Sequence, residues 1–421
     1  MYKTRIADKV LKKRLDSKGA VLIEGPKWCG KTETAKQAAN SMLNLADYAT
    51  LSEARGLVEL NPSILIRGET PKLIDEWQEI PRLWDIIRGA VDQRQAMGQF
   101  ILTGSAVPVD RSEIIHTGTG RITRMTMRTM SLWESGESGG EISLKDLFSG
   151  EKEMVGTNNL DLDHIAYLIC RGGWPIATML EGEPALQQAI DYYDAVINFD
   201  ITRVDGVRRS AMTANRIMRS YARHIGLQSP ITTIRDDISN GEQRIDPDTV
   251  SAYLTSLKQI FVIEEMKAWN PNLRSKTAIR TTETRYYTDP SIACAAMGIG
   301  PGNLIKDLKC MGMMFENLCV RDLRAYTEPL GGEVMHYRDA NGLECDSVIT
   351  LRNGQYGLVE IKLGGDRLIE DGAATLTKLA SKIDTDAMPA PAFLMILTAT
   401  GNYAYRRKDG IWIVPIGTLR P

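Results

Sequence analysis

Apolar and polar positions change period along this chain, and the changes mark its elements. Val21-Leu22-Ile23 is a short continuous apolar run, which reads as a buried strand. From Thr32 to about Met42, helix formers carry apolar residues at helical spacing, and a helix is expected there. Leu73-Ile74 and Phe100-Ile101-Leu102 repeat the short run, so strands and helices alternate and a three-layer α/β domain is expected to about residue 150. Residues 134–160 are rich in Gly, Ser and Glu and poor in aromatics, which predicts a surface loop or linker. A helical pattern runs from about 184 to 225 and includes the amphipathic stretch ALQQAIDYYDAVINFDITRV.

Residues 229–266 predict a short helix, a turn, and a second helix from Thr249 to Gln259 capped by Asp246 or Asp248, followed by an apolar run. That order is a winged helix-turn-helix, whose recognition surface would offer Ser251, Thr255, Ser256 and Lys258. Packing against a neighbouring domain is the competing use of such a module. In the last third Glu316 falls in a helix, and residues 334–338, 343–351 and 355–362 read as three strands.

Composition changes this picture little. Of 421 residues, 43% are apolar and 25% charged, an ordinary soluble balance, and the formal net charge of -2 requires any nucleic-acid surface to be local. The six cysteines include no C-x-x-C pair, which points to a reducing cytosol. No run approaches the roughly 18 to 20 apolar residues of a membrane span. The start, MYKTRIADKVLKKRLDSKGA, has charges throughout, so neither secretion nor anchoring is expected and the localisation expected is cytoplasmic.

Chemistry enters at Gly25-Pro26-Lys27-Trp28-Cys29-Gly30-Lys31-Thr32, which satisfies G-x-x-x-x-G-K-[ST] between a strand and a helix. The glycines let backbone N–H groups turn inward on phosphate oxygens, and the helix adds the positive end of its dipole. Lys31 would neutralise the β and γ phosphates of ATP, and the Thr32 hydroxyl would bind Mg²⁺. Asp75 and Glu76 follow at an expected strand end: Asp75 would hold Mg²⁺ and Glu76 would orient the attacking water. Thr103, ending the next strand, would sense the γ-phosphate or place the water. Arg121, Arg124 and Arg128 are candidate arginine fingers or sensors, with Arg121 preferred.

Near the C-terminus, Asp346 on one strand and Glu360-x-Lys362 on the next form the skeleton of a restriction-endonuclease-like site. Two carboxylates would hold a divalent metal and a lysine would activate water. Strand alternation aims Glu360 and Lys362 at one face. A second E-x-K triplet, Glu265-Met266-Lys267, lacks the aspartate one strand upstream.

The chain resembles bacterial and archaeal ATP-binding proteins with an N-terminal AAA-type ATPase domain and a C-terminal domain of unknown function (DUF4143). The matching residues are GPKWCGKT (25–32), LIDEWQEIP (73–81), FILTGS (100–105), GTGR (118–121), RGGWP (171–175), FENL (315–318), the Asp346 region and VEIK (359–362). The resemblance implies an AAA-type P-loop ATPase domain over 1–150, a helical and winged-helix region over 160–275, and a small PD-(D/E)XK-like α/β domain over 280–421. It implies ATP and Mg²⁺ as cofactors, and assemblies in which one subunit's arginine completes the next subunit's site. The function expected is ATP hydrolysis coupled to a nuclease-like domain that binds or cleaves DNA. The alternative is a nucleotide-dependent switch whose inactive C-terminal scaffold binds a protein or DNA; self-association of the chain is a further partner expectation. A kinase fits less well, because Asp75-Glu76 and FILTGS look arranged for water and no acceptor pocket is evident.

Overall fold

Five short parallel strands organise the first part of the chain: β1 (Ala20–Glu24), β2 (Ser41–Asn44), β3 (Lys72–Asp75), β4 (Phe100–Gly104) and β5 (Ile122–Thr126). In this computed structural model, which describes residues 2–105, 114–204, 206–239 and 245–421, they lie in the order β2-β3-β4-β1-β5. The central strands β1 (AVLIE) and β4 (FILTG) are nearly continuous apolar sequence because helices cover both sheet faces, while the edge strands β2 (SMLN) and β5 (ITRMT) carry polar residues. Ala20 and Leu22 join Ala54 and Val58 of helix α3 (Tyr48–Leu60) and Trp84 and Ile87 of α4 (Leu83–Arg94). Val21 and Ile23 point the other way, to Val10, Leu11 and Leu15 of α1 (Ile6–Leu15) and Ala35 of α2 (Lys31–Lys36). Each valine, leucine or isoleucine among them contributes about 1.5–3 kcal/mol when taken from water.

The register matters for function. Ala20 to Glu24 pairs with Phe100 to Gly104 on one side and Ile122 to Thr126 on the other, and β3 pairs with β4 up to Asp75 beside Thr103. The C-terminal ends of β1, β3 and β4 therefore share one sheet edge, where ligands bind in open parallel sheets.

The helix expected to run from Thr32 to Met42 is shorter. It ends at Lys36, and Ser41–Asn44 is extended as β2, with Ser41 beside Lys72 and Asn40 N donating to Pro71 O at 2.8 Å. Pairing at the sheet edge outweighs helical spacing there.

Residues Met1–Thr129, with Ala195–Ala211 and Tyr253–Val262, pack as one unit; Met130–Asp194, Met212–Ala252 and Ile263–Pro421 pack as another. The second unit holds β6 (Ile142–Ser143), β7 (Gly156–Thr157), β8 (Glu333–Arg338), β9 (Glu344–Thr350), β10 (Tyr356–Lys362), β11 (Phe393–Thr398), β12 (Tyr403–Arg406), β13 (Trp412–Pro415) and β14 (Leu419–Arg420). Seven of them form a mixed sheet in the order β7-β12-β13-β11-β10-β9-β8, and β6 pairs with β14. Leu376 and Leu379 of the helix Asp366–Lys382 pack with Leu358, Ile396 and Ile413 of that sheet.

Only part of residues 134–160 is a surface loop: 149–155 are largely exposed and carry no helix or strand, but the rest packs into the second unit. Ile142, Leu144, Leu147 and Phe148 are buried, and Phe148 meets Phe393 at 5.0 Å between ring centroids. Glycine and serine here serve caps and turns, as where Ser131 and Glu134 cap the helix Leu132–Ser135 reciprocally.

The RGGWP segment is a tight packing turn. A Cβ on Gly173 would stand 2.0 Å from Met130 O, and Gly173 N donates to Asp289 Oδ2 at 2.9 Å. Asp289 also takes an ion pair at 3.0 Å from the fully buried Arg321, whose other partner is Asp322 at 2.8 Å.

Helices Ile231–Ile238 and Pro247–Gln259 form where the helix-turn-helix was expected. The intervening residues 240–244 lie outside the described residues. After them Ile263 and Met266 make isolated bridges to Tyr287 and Thr284 in place of the strand ladder of a wing.

Candidate functional site

The phosphate loop leaves β1 at Glu24 and curls into α2. Gly25 has φ 154° and Gly30 φ 100°, and a Cβ on Gly25 would stand 2.0 Å from Met127 O, so glycine is required at the loop's entry. The buried Lys31 folds back over the loop, with Nζ 2.9 Å from Gly25 O and 2.8 Å from Pro26 O. These are neutral carbonyl partners that phosphate oxygens would outcompete. Trp28 adopts φ 65° and is more than half exposed, while Cys29 is fully buried with Sγ 3.5 Å from Met127 O. Arg5 braces the loop from outside, donating to Cys29 O at 2.8 Å and Arg128 O at 2.9 Å. The helix that starts at Lys31 is one to two turns long, so any anion held here would be bound mostly by the loop's own amides.

Four residues of the expected nucleotide site meet at the sheet edge. Thr32 Oγ1 donates to Asp75 Oδ1 at 2.8 Å, and Thr103 Oγ1 donates to the same oxygen at 2.5 Å. Both hydroxyls and the carboxylate are hard oxygen donors beside a phosphate loop, which fits the ligand preference of Mg²⁺. Glu76, in the left-handed region at φ 54°, turns its carboxylate toward Gln78 Nε2, which donates to Oε2, and Ser105 Oγ, at 3.4 Å from the same oxygen. Gln78 Oε1 is buried and accepts no hydrogen bond from the described residues. It is an acceptor aimed into the space beside Gly104, where a Cβ would stand 2.8 Å from it.

The arginines divide. Arg121 sits at the start of β5, beside the N-terminal end of β1, where Ala20 N donates to Arg121 O at 3.1 Å; the loop follows the opposite end of β1. Its guanidinium pairs with Asp92 at 2.6 Å and with Thr119 O, so the structure does not bring it to this chain's own loop. Arg124 pairs with Glu24, the residue before Gly25, at 3.1 Å and lies over the Trp84 ring. Burial raises the Glu24 carboxyl above its ordinary range against the pull of Arg124.

The second group of expected residues also converges. Antiparallel pairing of β9 with β10 sets Ser347 beside Val359, and one residue further Asp346 Oδ2 accepts from Ile361 N at 2.7 Å. Lys362 Nζ lies 3.2 Å from Asp346 Oδ2 and 2.6 Å from Glu360 Oε2. Glu316, on the helix Leu308–Thr327, is a member that spacing did not reveal: Tyr286 O–H donates to its Oε1 at 2.5 Å, and its carboxyl feels the charges of Asp346 and Lys362. Three carboxyls against one ammonium in a buried site leave an excess of negative charge, and protons relieve it. Burial first and Asp346 second push Glu316 and Glu360 up to about 8. Burial opposes the Lys362 charge, but Asp346 and Glu360 outweigh it and hold its pKa above the usual value. Among the described residues no group of three or more His, Cys, Asp or Glu side chains is arranged to hold a metal ion, so Asp346 and Glu360 offer two ligands.

Gln78 and Arg5 were also missed. Gln78 stands three residues after Asp75 and carries no pattern of its own; Arg5 is distant in sequence from the loop it braces. For Glu316 a faint signal exists, a single acid in the apolar run MGMMFENLCV.

Three family models match in series. Residues 17–135 match the AAA domain, 162–303 a domain of unknown function (DUF8612), and 311–419 a domain of unknown function (DUF4143). An AAA-type ATPase domain thus lies at the N-terminus and a DUF4143 domain at the C-terminus. No curated protein matches the chain. Among solved structures, the Walker-type ATPase PabY2304 of Pyrococcus abyssi is 16% identical with a TM-score of 0.42, covering 70% of this chain and 96% of its own. A likeness this distant fixes no detail of the present site. Among the described residues no helix is long and apolar enough to cross a membrane.

Proposed function

We propose that the chain hydrolyses ATP, with Mg²⁺, at the Gly25–Thr32 loop, and that nucleotide state governs a nuclease-like C-terminal domain that binds or cleaves DNA. The observation that carries the ATPase reading is the meeting of Thr32, Asp75, Thr103, Glu76 and Gln78 at the edge where the loop emerges. Loop amides and Lys31 bind the β and γ phosphates, exchanging the Gly25 and Pro26 carbonyls for charged oxygens. Thr32 and Asp75 are the residues that would hold Mg²⁺, which supplies charge neutralisation at the phosphates. Glu76 orients the attacking water and takes its proton, Gln78 Oε1 offers that water a second acceptor, and Thr103 fixes the Asp75 carboxylate. Arg121, placed away from its own loop, is suited to completing the site of a second copy.

Glu76→Gln tests this directly. ATP binding should persist while steady-state turnover falls about 100-fold; turnover unchanged in that variant removes Glu76 from the mechanism.

For the C-terminal domain the supporting observation is that Asp346, Glu360 and Lys362 share one face of adjacent strands. Incubating DNA with Mg²⁺ or Mn²⁺ should give cleavage that Asp346→Ala and Lys362→Ala both abolish. The switch reading, with an inactive scaffold, draws on Lys362 closing over both carboxylates. Absence of cleavage by any form decides for it.

A further inference from the structure

Lys31 has a companion in the loop. Lys27, two residues after Gly25, places Nζ 2.6 Å from Asp200 Oδ1, across 173 residues of sequence. Asp200 closes the π-helical stretch Val196–Asp200, which follows the helix Gly182–Ala195, and it is only 9% exposed. The segment Ala195–Ala211 packs with the nucleotide unit. Two features set this contact apart from a surface ion pair. A largely buried carboxylate needs a charged or hydrogen-bonding partner, and here a phosphate loop supplies it. Helix turns of the π type are also rare and recur at functional sites.

We propose that Asp200 is a nucleotide-responsive latch: it closes on Lys27 when the phosphate loop is empty and lets go when a nucleoside triphosphate binds. The latch rests on the nucleotide-binding reading of the loop. Triphosphate oxygens and the Asp200 carboxylate carry the same charge and compete for one ammonium group. A loop with Lys27 released binds phosphate more tightly, and reciprocity requires nucleotide to weaken the Asp200 contact by the same factor. Release leaves the Asp200 carboxylate short of a partner, so the stretch 196–203 loosens. The helical segment between the two ends of the chain thereby reports what the loop holds.

The experiment combines titration calorimetry with amide hydrogen exchange on the full chain, with and without a non-hydrolysable ATP analogue and Mg²⁺. In the natural protein, analogue should speed exchange across 196–203. Asp200→Asn should bind analogue about fivefold more tightly and exchange fast in this stretch in both states, and Asp200→Glu should restore the response. If Asp200→Asn fails to fold, Lys27→Gln opens the same latch from the loop side and should exchange fast in both states. Saturable binding with 196–203 unresponsive overturns the latch alone, as does an Asp200→Asn affinity equal to that of the natural protein. No binding at all by the natural protein removes the loop reading and the latch with it.

Discussion

Gln78 Oε1 illustrates how a single atom can carry a prediction. Its amide nitrogen already donates to Glu76, so its orphaned oxygen is aimed by a bond the chain has made. Gln78→Ala should lower ATP turnover about tenfold with little change in nucleotide affinity, measured by steady-state hydrolysis beside calorimetry. His336 gives a pH signature. Burial lowers its pKa below the ordinary value, against a hydrogen bond to Thr282 O, so the folded state holds the ring neutral. Stability is therefore fully present above the unfolded pKa of about 6.5 and is lost as pH falls through that value toward the folded one. Melting temperatures between pH 7.5 and 5 should drop in the natural protein and drop less in His336→Gln. Arg321, buried between Asp289 and Asp322, gives a sharper result: Arg321→Met strands two buried carboxylates and should cost about 3–5 kcal/mol in denaturant unfolding.

At the scale of elements, the loop between β1 and α2 depends on one close approach. Gly25→Ala places a methyl within 2.0 Å of Met127 O at a φ only glycine tolerates well. It should weaken ATP binding at least about tenfold and lower the melting temperature, since loop and β5 must part to admit the methyl. Elements of this kind were legible in the sequence because their causes are local: two glycines and a lysine at fixed spacing, an apolar run before Asp75, alternation through Glu360 and Lys362. Others were hidden for a physical reason. Helical spacing runs on through Ser41 and Met42, yet pairing with β3 makes them strand. The Gly- and Ser-rich stretch around Ile142 looks like a linker until its few apolar residues find a sheet to cover. Glu316 joins Asp346 and Glu360 only because a helix and a sheet meet, and no interval in the sequence encodes that.

For the whole molecule, a region matching the AAA domain, proposed to bind nucleotide, precedes a DUF4143 domain with a carboxylate–lysine cluster. The coupling proposed between the two depends on the first having a ligand, because coupling has no meaning for an empty loop. The most direct test is titration calorimetry of the full chain with ATP and Mg²⁺, repeated on Lys31→Ala. The account predicts a saturable one-to-one binding heat for the natural protein and its loss in the variant. No heat at millimolar ATP, or the same heat from Lys31→Ala, would contradict it.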